Sequence, residues 1–346
     1  MKRAVVTLVA ALALVALAAG CGSSGSSSSG NGSSTEATTT ASSAPALKVG
    51  LVTDIGGLND HGFNHLAYLG LQRAQKELGV HTRVLESHAN SDYVPNMSTL
   101  AQQGYDLVIA VGFLMADSVS TVAKQFPKTK FMIIDSAWPD GGPKNLEGTV
   151  FHEEQAGYLV GYLAGLLYKG KAVTFSSVGG QKIPPVDHYI AGYQAGAKAA
   201  NPQVKLLNAY SQDFVAQDKC KSIALQQIQQ GSEVVFQVAG GCGLGALDAA
   251  KQKKVWGIGV DADQSYLGPQ VLTSAMKRVD NDVFTTVQQV QKGQFHGGET
   301  FEFSLKNDGV GMGKVSSKVP QDVVDKVTAL EPKIANGSIK VPSTVS

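Results

Sequence analysis

The stretch 47–79, LKVGLVTDIGGLNDHGFNHLAYLGLQRAQKELG, contains one complete strand–loop–helix unit. Residues 47–53 are a short β-rich run, which predicts a buried strand. From Phe63 to Leu78, apolar residues recur at helical spacing, and Gly79 follows where a helix would end. The polar loop at 54–62 therefore lies just beyond the carboxyl end of the predicted strand.

The same alternation of strand and helix continues along the chain in two series. In the first series, further strands are predicted at 83–86, 106–111 and 130–135, and the Pro-, Gly- and Asp-rich segment 138–147 is predicted to cross over to the second. The second series opens with a helix at 153–168, and its strands are predicted at 172–177, 204–209, 233–238, 255–260 and 271–276. Alternation of this kind predicts an α/β fold with parallel sheets. The sequence thus indicates two Rossmann-like lobes.

Length and charge limit the classes of protein. About three hundred of the 346 residues remain after the N-terminal segments described below, which suits two medium lobes. The chain has 29 basic and 28 acidic residues, and removing Lys2 and Arg3 with a signal peptide leaves 27 basic ones. This balance gives no indication of nucleic-acid binding, which shows as a basic excess.

The N-terminus predicts export. Lys2 and Arg3 precede the apolar run 4–18, which has the length of a signal-peptide core. The run ends in Leu17-Ala18-Ala19-Gly20-Cys21, which resembles the lipobox of bacterial lipoproteins, where the cysteine is acylated. The alternative is an ordinary signal cut near 16–18. We therefore expect a signal peptide at 1–20, a lipidated Cys21, and a flexible Ser/Gly-rich tether over 21–45.

Candidate binding residues follow the predicted strands, because ligands of open α/β sheets bind beyond the carboxyl ends of the strands. The loop after the first strand holds two carboxylates, two amides and Phe63, for which helix capping by Asn59 or Asp60 is the alternative explanation. The later strand-end positions that carry polar, aromatic or glycine residues are Asp135, Phe214, Gly240, Asp261 and Lys277.

One loop matches a dinucleotide-binding pattern. Residues 241–246, GCGLGA, fit G-x-G-x-x-A after a strand and before a helix, and Asp261 lies twenty residues beyond Gly241. The match falls late in the second series, and nicotinamide cofactors are scarce outside the cell. No P-loop, G-x-S-x-G or Cys-x-x-Cys is present, and His152-Glu153 lacks the second histidine of H-E-x-x-H. We therefore predict neither catalysis, nor a metal site, nor a cofactor.

The strand-end loops, taken in order, resemble those of the basic membrane protein (BMP) family, substrate-binding lipoproteins of ABC importers whose best-known type is the purine nucleoside receptor. The segments that carry the resemblance are VGLVTD at 49–54, DHGFN at 60–64, VGF at 111–113, FMIID at 131–135, GYLVG at 157–161, GYQAG at 192–196, AGG at 239–241, IGVD at 258–261 and LTSAMKR at 272–278.

The resemblance implies a type I periplasmic-binding-protein fold, in which two lobes joined by three crossovers close on a ligand. We assign 46–150 and 277–296 to lobe 1, and 151–276 and 297–346 to lobe 2. Phe63 and Phe214 would sandwich a purine base. The resemblance further implies the remaining contacts, with the base held by Asp54, Asn64 and Asp135 and the ribose by Asp261, Lys277 and the Gly240 backbone.

Two features depart from the family pattern. Cys242 interrupts the glycine loop, and the proline-rich segment 183–188 is placed to reshape the cleft wall. Cys220 and Cys242 remain after acylation of Cys21. A helix and the strand that follows it run antiparallel, so both cysteines lie at the same edge of the lobe. They form either a disulfide, which an exported protein permits, or two buried thiols.

The sequence therefore predicts a monomeric, extracytoplasmic, lipid-anchored binding protein that presents a nucleoside to an ABC permease in the membrane. Two alternatives stay open at this point. One is a binding protein for another solute, such as a sugar or signalling molecule. The other is an exported NAD-dependent oxidoreductase that uses the glycine loop.

Overall fold

A computed structural model describes residues 46–138 and 141–345. The predicted signal peptide, the lipidated Cys21 and the tether lie outside the described residues. The described chain forms two six-stranded sheets.

The first sheet is parallel throughout and has the order β11-β5-β4-β3-β1-β2. Its strands are β1 (Lys48–Val52), β2 (His81–Leu85), β3 (Leu107–Val111), β4 (Lys130–Ile134), β5 (Leu146–Phe151) and β11 (Thr300–Phe303). The central strands β3 and β4 are almost entirely apolar and buried, as expected where helices cover both faces of a parallel sheet.

The second sheet repeats this arrangement with the order β12-β10-β9-β8-β6-β7. Its strands are β6 (Thr174–Gly179), β7 (Lys205–Tyr210), β8 (Ser232–Val238), β9 (Trp256–Asp261), β10 (Val271–Lys277) and β12 (Val310–Met312). All are parallel except β12, which runs antiparallel to β10. Strand β4 therefore occupies the place in the first sheet that β9 occupies in the second.

The helices pack mainly in pairs, α1 with α8 and α2 with α3 in the first lobe, and α4 with α5 and α6 with α7 in the second. Their bounds are α1 (Phe63–Leu78), α2 (Tyr93–Gln102), α3 (Ala116–Gln125), α4 (Glu153–Leu167), α5 (Pro184–Ala200), α6 (Gln217–Gln229), α7 (Gly240–Lys253), α8 (Val279–Gln291), α9 (Gln321–Thr328) and α10 (Glu331–Ala335). Within 46–138 and 141–345, no helix combines the length and apolar character needed to cross a bilayer.

In the described part of the chain, three connections join the lobes, at His152 between β5 and α4, at Arg278 between β10 and α8, and at 304–309 between β11 and β12. The predicted crossover at 138–147 was wrong, because β5 follows that loop and still belongs to the first sheet.

The predicted lobe boundaries were wrong at two further places. Strand β11 lies in the first sheet, where it pairs with β5, although the sequence assigned 297–346 to lobe 2. Lys277 ends β10 in the second sheet, although it was assigned to lobe 1. Both errors arise where the chain pairs with strands distant in sequence, which local patterning does not report.

Helices α4 and α5 pack backbone against backbone. Gly157 and Gly161 on α4 face the carbonyl groups of Tyr189 and Tyr193, and a Cβ at either glycine would collide with them. Glycines 192 and 196 on α5 make the reciprocal approach to α4. This packing fixes the first turns of both helices, which carry Glu153 and Tyr189 toward the space between the lobes.

A disulfide joins Cys220 and Cys242, with their Cα atoms 5.6 Å apart. Cys220 lies on α6 and Cys242 on α7, and both residues are fully buried. Of the two arrangements that the sequence left open, the structure has the bonded one.

Candidate functional site

The carboxyl ends of the two sheets face each other across a cleft that holds a cavity lined by residues of both lobes. All eight residues that the sequence assigned to a ligand line this cavity, namely Asp54, Phe63, Asn64, Asp135, Phe214, Gly240, Asp261 and Lys277. Phe63 comes from the first lobe and Phe214 from the second. The structure thus brings the predicted set together from both lobes.

The first-lobe loop is held by one amide and two carboxylates. Asn64 donates from Nδ2 to Asp54 Oδ1 at 2.8 Å and to Asp60 Oδ2 at 3.2 Å. Asp60 accepts from the backbone N–H groups of Gly62, Asn64 and His65. It therefore caps α1, which decides between the Asn59 and Asp60 alternatives for that role. In the described structure, Asp54 accepts its hydrogen bonds on Oδ1, so Oδ2 remains for a ligand.

Lys277 is a buried cation among carboxylates. Only 1% of the residue is exposed, and its Nζ lies 2.6 Å from Asp135 Oδ1 and 2.8 Å from Glu153 Oε1. The ammonium group also lies 5.0 Å from the centroid of the Phe63 ring. Burial alone would lower the pKa of Lys277, but the charges of Asp135, Glu153 and Asp261 outweigh it and raise that pKa.

Asp135 and Asp261 occupy corresponding places, at the ends of β4 and β9. Both have left-handed backbones, with φ of 69° and 62°, a conformation that is uncommon for residues other than glycine and that collects at functional sites. Tyr189 donates from its hydroxyl to Asp261 Oδ1 at 3.2 Å. The two lobes therefore present a matched pair of carboxylates to the cavity.

Burial dominates the titration of these carboxyl groups. It raises the pKa of Asp54 to about 6, against the hydrogen bonds from Asn64 and Gly56. It raises the pKa of Asp135 to about 6 and that of Asp261 to about 7, although Lys277 opposes both shifts. Burial also disfavours the charged form of Glu153, but Lys277 and His188 hold the pKa of this carboxyl below its ordinary value. The cleft is rich in hydrogen-bond acceptors, and the one cation among the described residues that line it, Lys277, is already paired with carboxylates.

An apolar wall completes the cavity. Ile183, Pro185 and Val186 contribute it from the start of α5, and Val238 and Val260 from the ends of β8 and β9. The proline-rich segment, which the sequence marked as a departure, thus forms one side of the cleft. Apolar walls beside a few fixed polar groups are typical of small-molecule sites.

The lobes also touch at the mouth of the cleft. Tyr266 Oη lies 3.0 Å from His61 Nδ1, and Gln264 Nε2 donates to the His61 carbonyl at 3.2 Å. His61 belongs to the first lobe, whereas Gln264 and Tyr266 follow β9 in the second. These contacts bridge the two lobes in this structure.

Glu153, Glu154 and His188 offer possible metal-ligand atoms within 4.8 Å of one another. Their carboxylates are already engaged, that of Glu153 by Lys277 and His188, and that of Glu154 by His152. His152 also approaches Glu302 of β11 at 3.3 Å, which links the two lobes beside the crossovers. The hydrogen bond that His152 donates to the Glu154 carboxylate raises the pKa of His152 to about 9. We assign this group a structural role at the crossovers.

The glycines in the segment 241–246 are packed against other parts of the protein. A Cβ at Gly243 would collide with the side chain of Gln237, and one at Gly245 with the Gln217 carbonyl. In a dinucleotide fingerprint the second glycine, here Gly243, lets the backbone approach a pyrophosphate. These two glycines instead let α7 pack closely on its neighbours, which removes the main support for the oxidoreductase alternative.

Sequence reasoning missed two residues that support the site. Glu153 and Tyr189 hold Lys277 and Asp261 in place, yet each has the appearance of an ordinary helix residue. For Glu153 a signal existed, since this charged residue begins a helix that is otherwise largely buried.

Fold and site together define a two-lobed binding protein of the type I periplasmic class, with a ligand cleft between the lobes. A family model described as "Bmp: ABC transporter substrate-binding protein PnrA-like" matches residues 47–345. The chain belongs to this family, as its resemblance to basic membrane proteins predicted.

Individual proteins agree with the family assignment. The chain is 35% identical to the "ABC transporter nucleoside-binding protein BmpA" of Lactococcus lactis, over 86% of this chain and 89% of the relative. It is 34% identical to an uncharacterized lipoprotein of Pyrococcus furiosus, over 87% of this chain and 86% of the relative. The crystal structure of an ABC transporter solute-binding protein from Aeropyrum pernix superposes with a TM-score of 0.79 at 26% identity, over 87% of this chain and 94% of the other. The fold and the family are therefore those of solute-binding proteins of ABC transporters.

Proposed function

We propose that the protein binds a purine nucleoside in the interlobe cleft and presents it to an ABC permease. The observation that carries the proposal is the pair of rings, Phe63 and Phe214, contributed by opposite lobes to a cavity lined with carboxylates. Stacking of a base on an aromatic ring contributes about 1–3 kcal/mol, and a ligand held by both lobes favours the closed form. The name of the Lactococcus lactis relative supports the same ligand class.

The polar groups support specific roles. Asp54 and Asp135 accept hydrogen bonds from the N–H groups of the base, and Asn64 orients Asp54. Asp261 and Lys277, with the Gly240 backbone, hold the ribose hydroxyls. Because the one cation among these residues is already paired with two carboxylates, the cleft offers little to a phosphate. We therefore expect nucleosides to bind and nucleotides to be rejected.

Calorimetry and thermal shift against a ligand panel test this proposal. The panel contains adenosine, guanosine, inosine, cytidine, uridine, adenine, ribose, AMP and NAD. We expect the largest rise in melting temperature from a purine nucleoside, and none from AMP or NAD. Stabilisation by sugars alone would rule out the nucleoside assignment and favour the other-solute alternative. Binding of NAD would revive the oxidoreductase.

The contacts at the mouth of the cleft lead to a kinetic prediction. Replacing Tyr266 by phenylalanine removes the hydroxyl that meets His61 and leaves the ring in place. Since a hydrogen bond contributes about 0.5–1.5 kcal/mol, dissociation of a bound purine nucleoside should become about twofold to tenfold faster. Stopped-flow displacement measures this rate. Tyr68→Phe, outside the cavity lining, is the control, and equal rates in both variants would contradict a role for Tyr266 in closure.

We further propose that the protein is exported and anchored through an acylated Cys21. The lipobox-like sequence supports this anchor, as does the lipoprotein name of the Pyrococcus furiosus relative. Cys21→Ala should move the protein from the membrane fraction to the medium or leave it as an unprocessed precursor. Fractionation and intact mass spectrometry measure the change. A Cys21→Ala protein that stays in the membrane fraction and still carries the mass of the lipid would contradict the anchor.

A further inference from the structure

The disulfide joins two chain segments that contribute Phe214 and Gly240 to the cavity wall. Cys220 is in the first turns of α6, six residues after Phe214, and Cys242 is in the first turn of α7, two residues after Gly240. Both cysteines are fully buried. The bond therefore ties together two chain segments that each contribute to the cavity.

A hydrogen bond closes this link into a small ring. The backbone N–H of Cys242 donates to the carbonyl oxygen of Phe214 at 2.9 Å. Residues 214–220, the disulfide and this hydrogen bond thus form a closed loop with Phe214 at its start. On the other side of Phe214, Asp213 Oδ1 accepts from the backbone N–H groups of Val215 and Ala216. The backbone at Phe214 is therefore fixed from both directions.

The ring of Phe214 is only partly buried at the edge of the hydrophobic core. It lies against Gly180, where a Cβ would collide with it. Among the described residues, no aromatic ring is paired with it, and the adjacent Val215 is exposed. The direction in which the ring points thus depends on where the segment 211–217 is held.

We propose that the Cys220–Cys242 disulfide positions Phe214, so that its ring faces the cavity before a ligand arrives. The proposal rests on the function proposed above. Without the bond, the segment 211–217 has to be ordered when the ligand binds. Ordering a segment on binding reduces affinity, and such losses appear mostly as faster dissociation.

A double-mutant cycle tests the positioning role. Guanosine, inosine and adenosine are each titrated against wild type and Cys220→Ala/Cys242→Ala. We expect about fivefold weaker binding of the nucleoside that wild type binds, with faster dissociation. In a Phe214→Ala background the same cysteine changes should alter affinity by less than about twofold, whereas in a Phe63→Ala background the full loss should remain. An equal loss in all three backgrounds, or no loss in any, would overturn the proposal.

A second measurement requires no ligand. In hydrogen–deuterium exchange, the amides of 211–217 should exchange faster in the cysteine variant, and those of 112–114, on the first-lobe side of the cavity wall, should not change. Failure of wild type to bind any of the three nucleosides would contradict the proposed function. Unchanged exchange of the amides at 211–217 in the cysteine variant would overturn the positioning role. If the cysteine variant does not fold, dithiothreitol-reduced wild type replaces it in both experiments. Circular dichroism checks that the reduced protein keeps its fold.

Discussion

Replacing Lys277 by methionine is expected to lower the free energy of unfolding by about 3–5 kcal/mol at pH 8. The substitution keeps most of the volume of the side chain but removes the charge that Asp135 and Glu153 share at 2.6 and 2.8 Å. Both carboxylates are buried, so water cannot replace the ammonium group. Urea unfolding followed by circular dichroism measures the loss.

The chain offers a matched control on its surface. Lys219 makes an ion pair with Asp213 at 2.7 Å, but more than half of the Lys219 side chain is exposed. Exposed pairs of this kind contribute less than about 1 kcal/mol. Lys219→Met should therefore leave stability almost unchanged. Similar losses in the two variants would contradict the importance of burial at Lys277.

The loss at Lys277 should also depend on pH. The pKa values of Asp135 and Asp261 are already raised, to about 6 and about 7, and losing the cation raises them further. A carboxyl with a raised pKa binds more protons in the folded than in the unfolded state, so stability falls as pH rises through the folded pKa. The deficit of Lys277→Met should therefore be smaller at pH 5 than at pH 8. If the stability lost in Lys277→Met is the same at pH 5 and pH 8, the uncompensated carboxylates are not the cause of the loss.

The location of the site could be predicted from the sequence because parallel strands bring their carboxyl ends to one edge. Asp54, Asp135 and Asp261 each follow or end a β-rich run, so topology alone places them in one cleft. Helical periodicity with Gly79 at its end likewise predicted α1, to within one residue at either terminus. These features are local in sequence and needed no knowledge of the packing.

The errors in the fold have a common physical origin. Strand β5 contains Glu147 and Gly148, residues that disfavour a strand assignment, yet Glu147 is buried and accepts from the His296 N–H. Its neighbour β11 comes from more than 140 residues further along the chain. Pairing between such distant segments stabilises strands whose own composition does not identify them.

The supporting residues of the site were hidden for a related reason. Glu153 and Tyr189 reach the cleft because α4 and α5 approach each other through glycines 157, 161, 192 and 196. The GxxxG spacing is visible in the sequence, but which helix faces it is not. Phe214 follows a predicted strand, but its role beside a base was implied only by the family resemblance. Its link to the disulfide depends on α6 packing beside α7.

The aromatic pair provides the largest expected effect on binding. Phe63→Ala and Phe214→Ala should each weaken binding of a purine nucleoside by about tenfold or more, since stacking contributes about 1–3 kcal/mol per ring. The double variant should bind the nucleoside at least about a hundredfold more weakly than wild type, if the two faces of the base contribute separately. Isothermal titration calorimetry measures these affinities, with competition titrations for the weakest variant. Unchanged affinity in both single variants would refute the sandwich.

Two controls separate stacking from general damage to the cleft. Phe301→Ala removes a ring of β11 that packs on His296 outside the cavity, and it should leave nucleoside affinity unchanged. Phe214→Leu keeps an apolar side chain without a π-face, so its affinity should lie between those of wild type and Phe214→Ala. Free ribose has no base to stack, and any weak binding of ribose should not respond to either phenylalanine. If instead ribose binding falls in parallel with nucleoside binding, the rings shape the cleft as a whole and do not recognise a base.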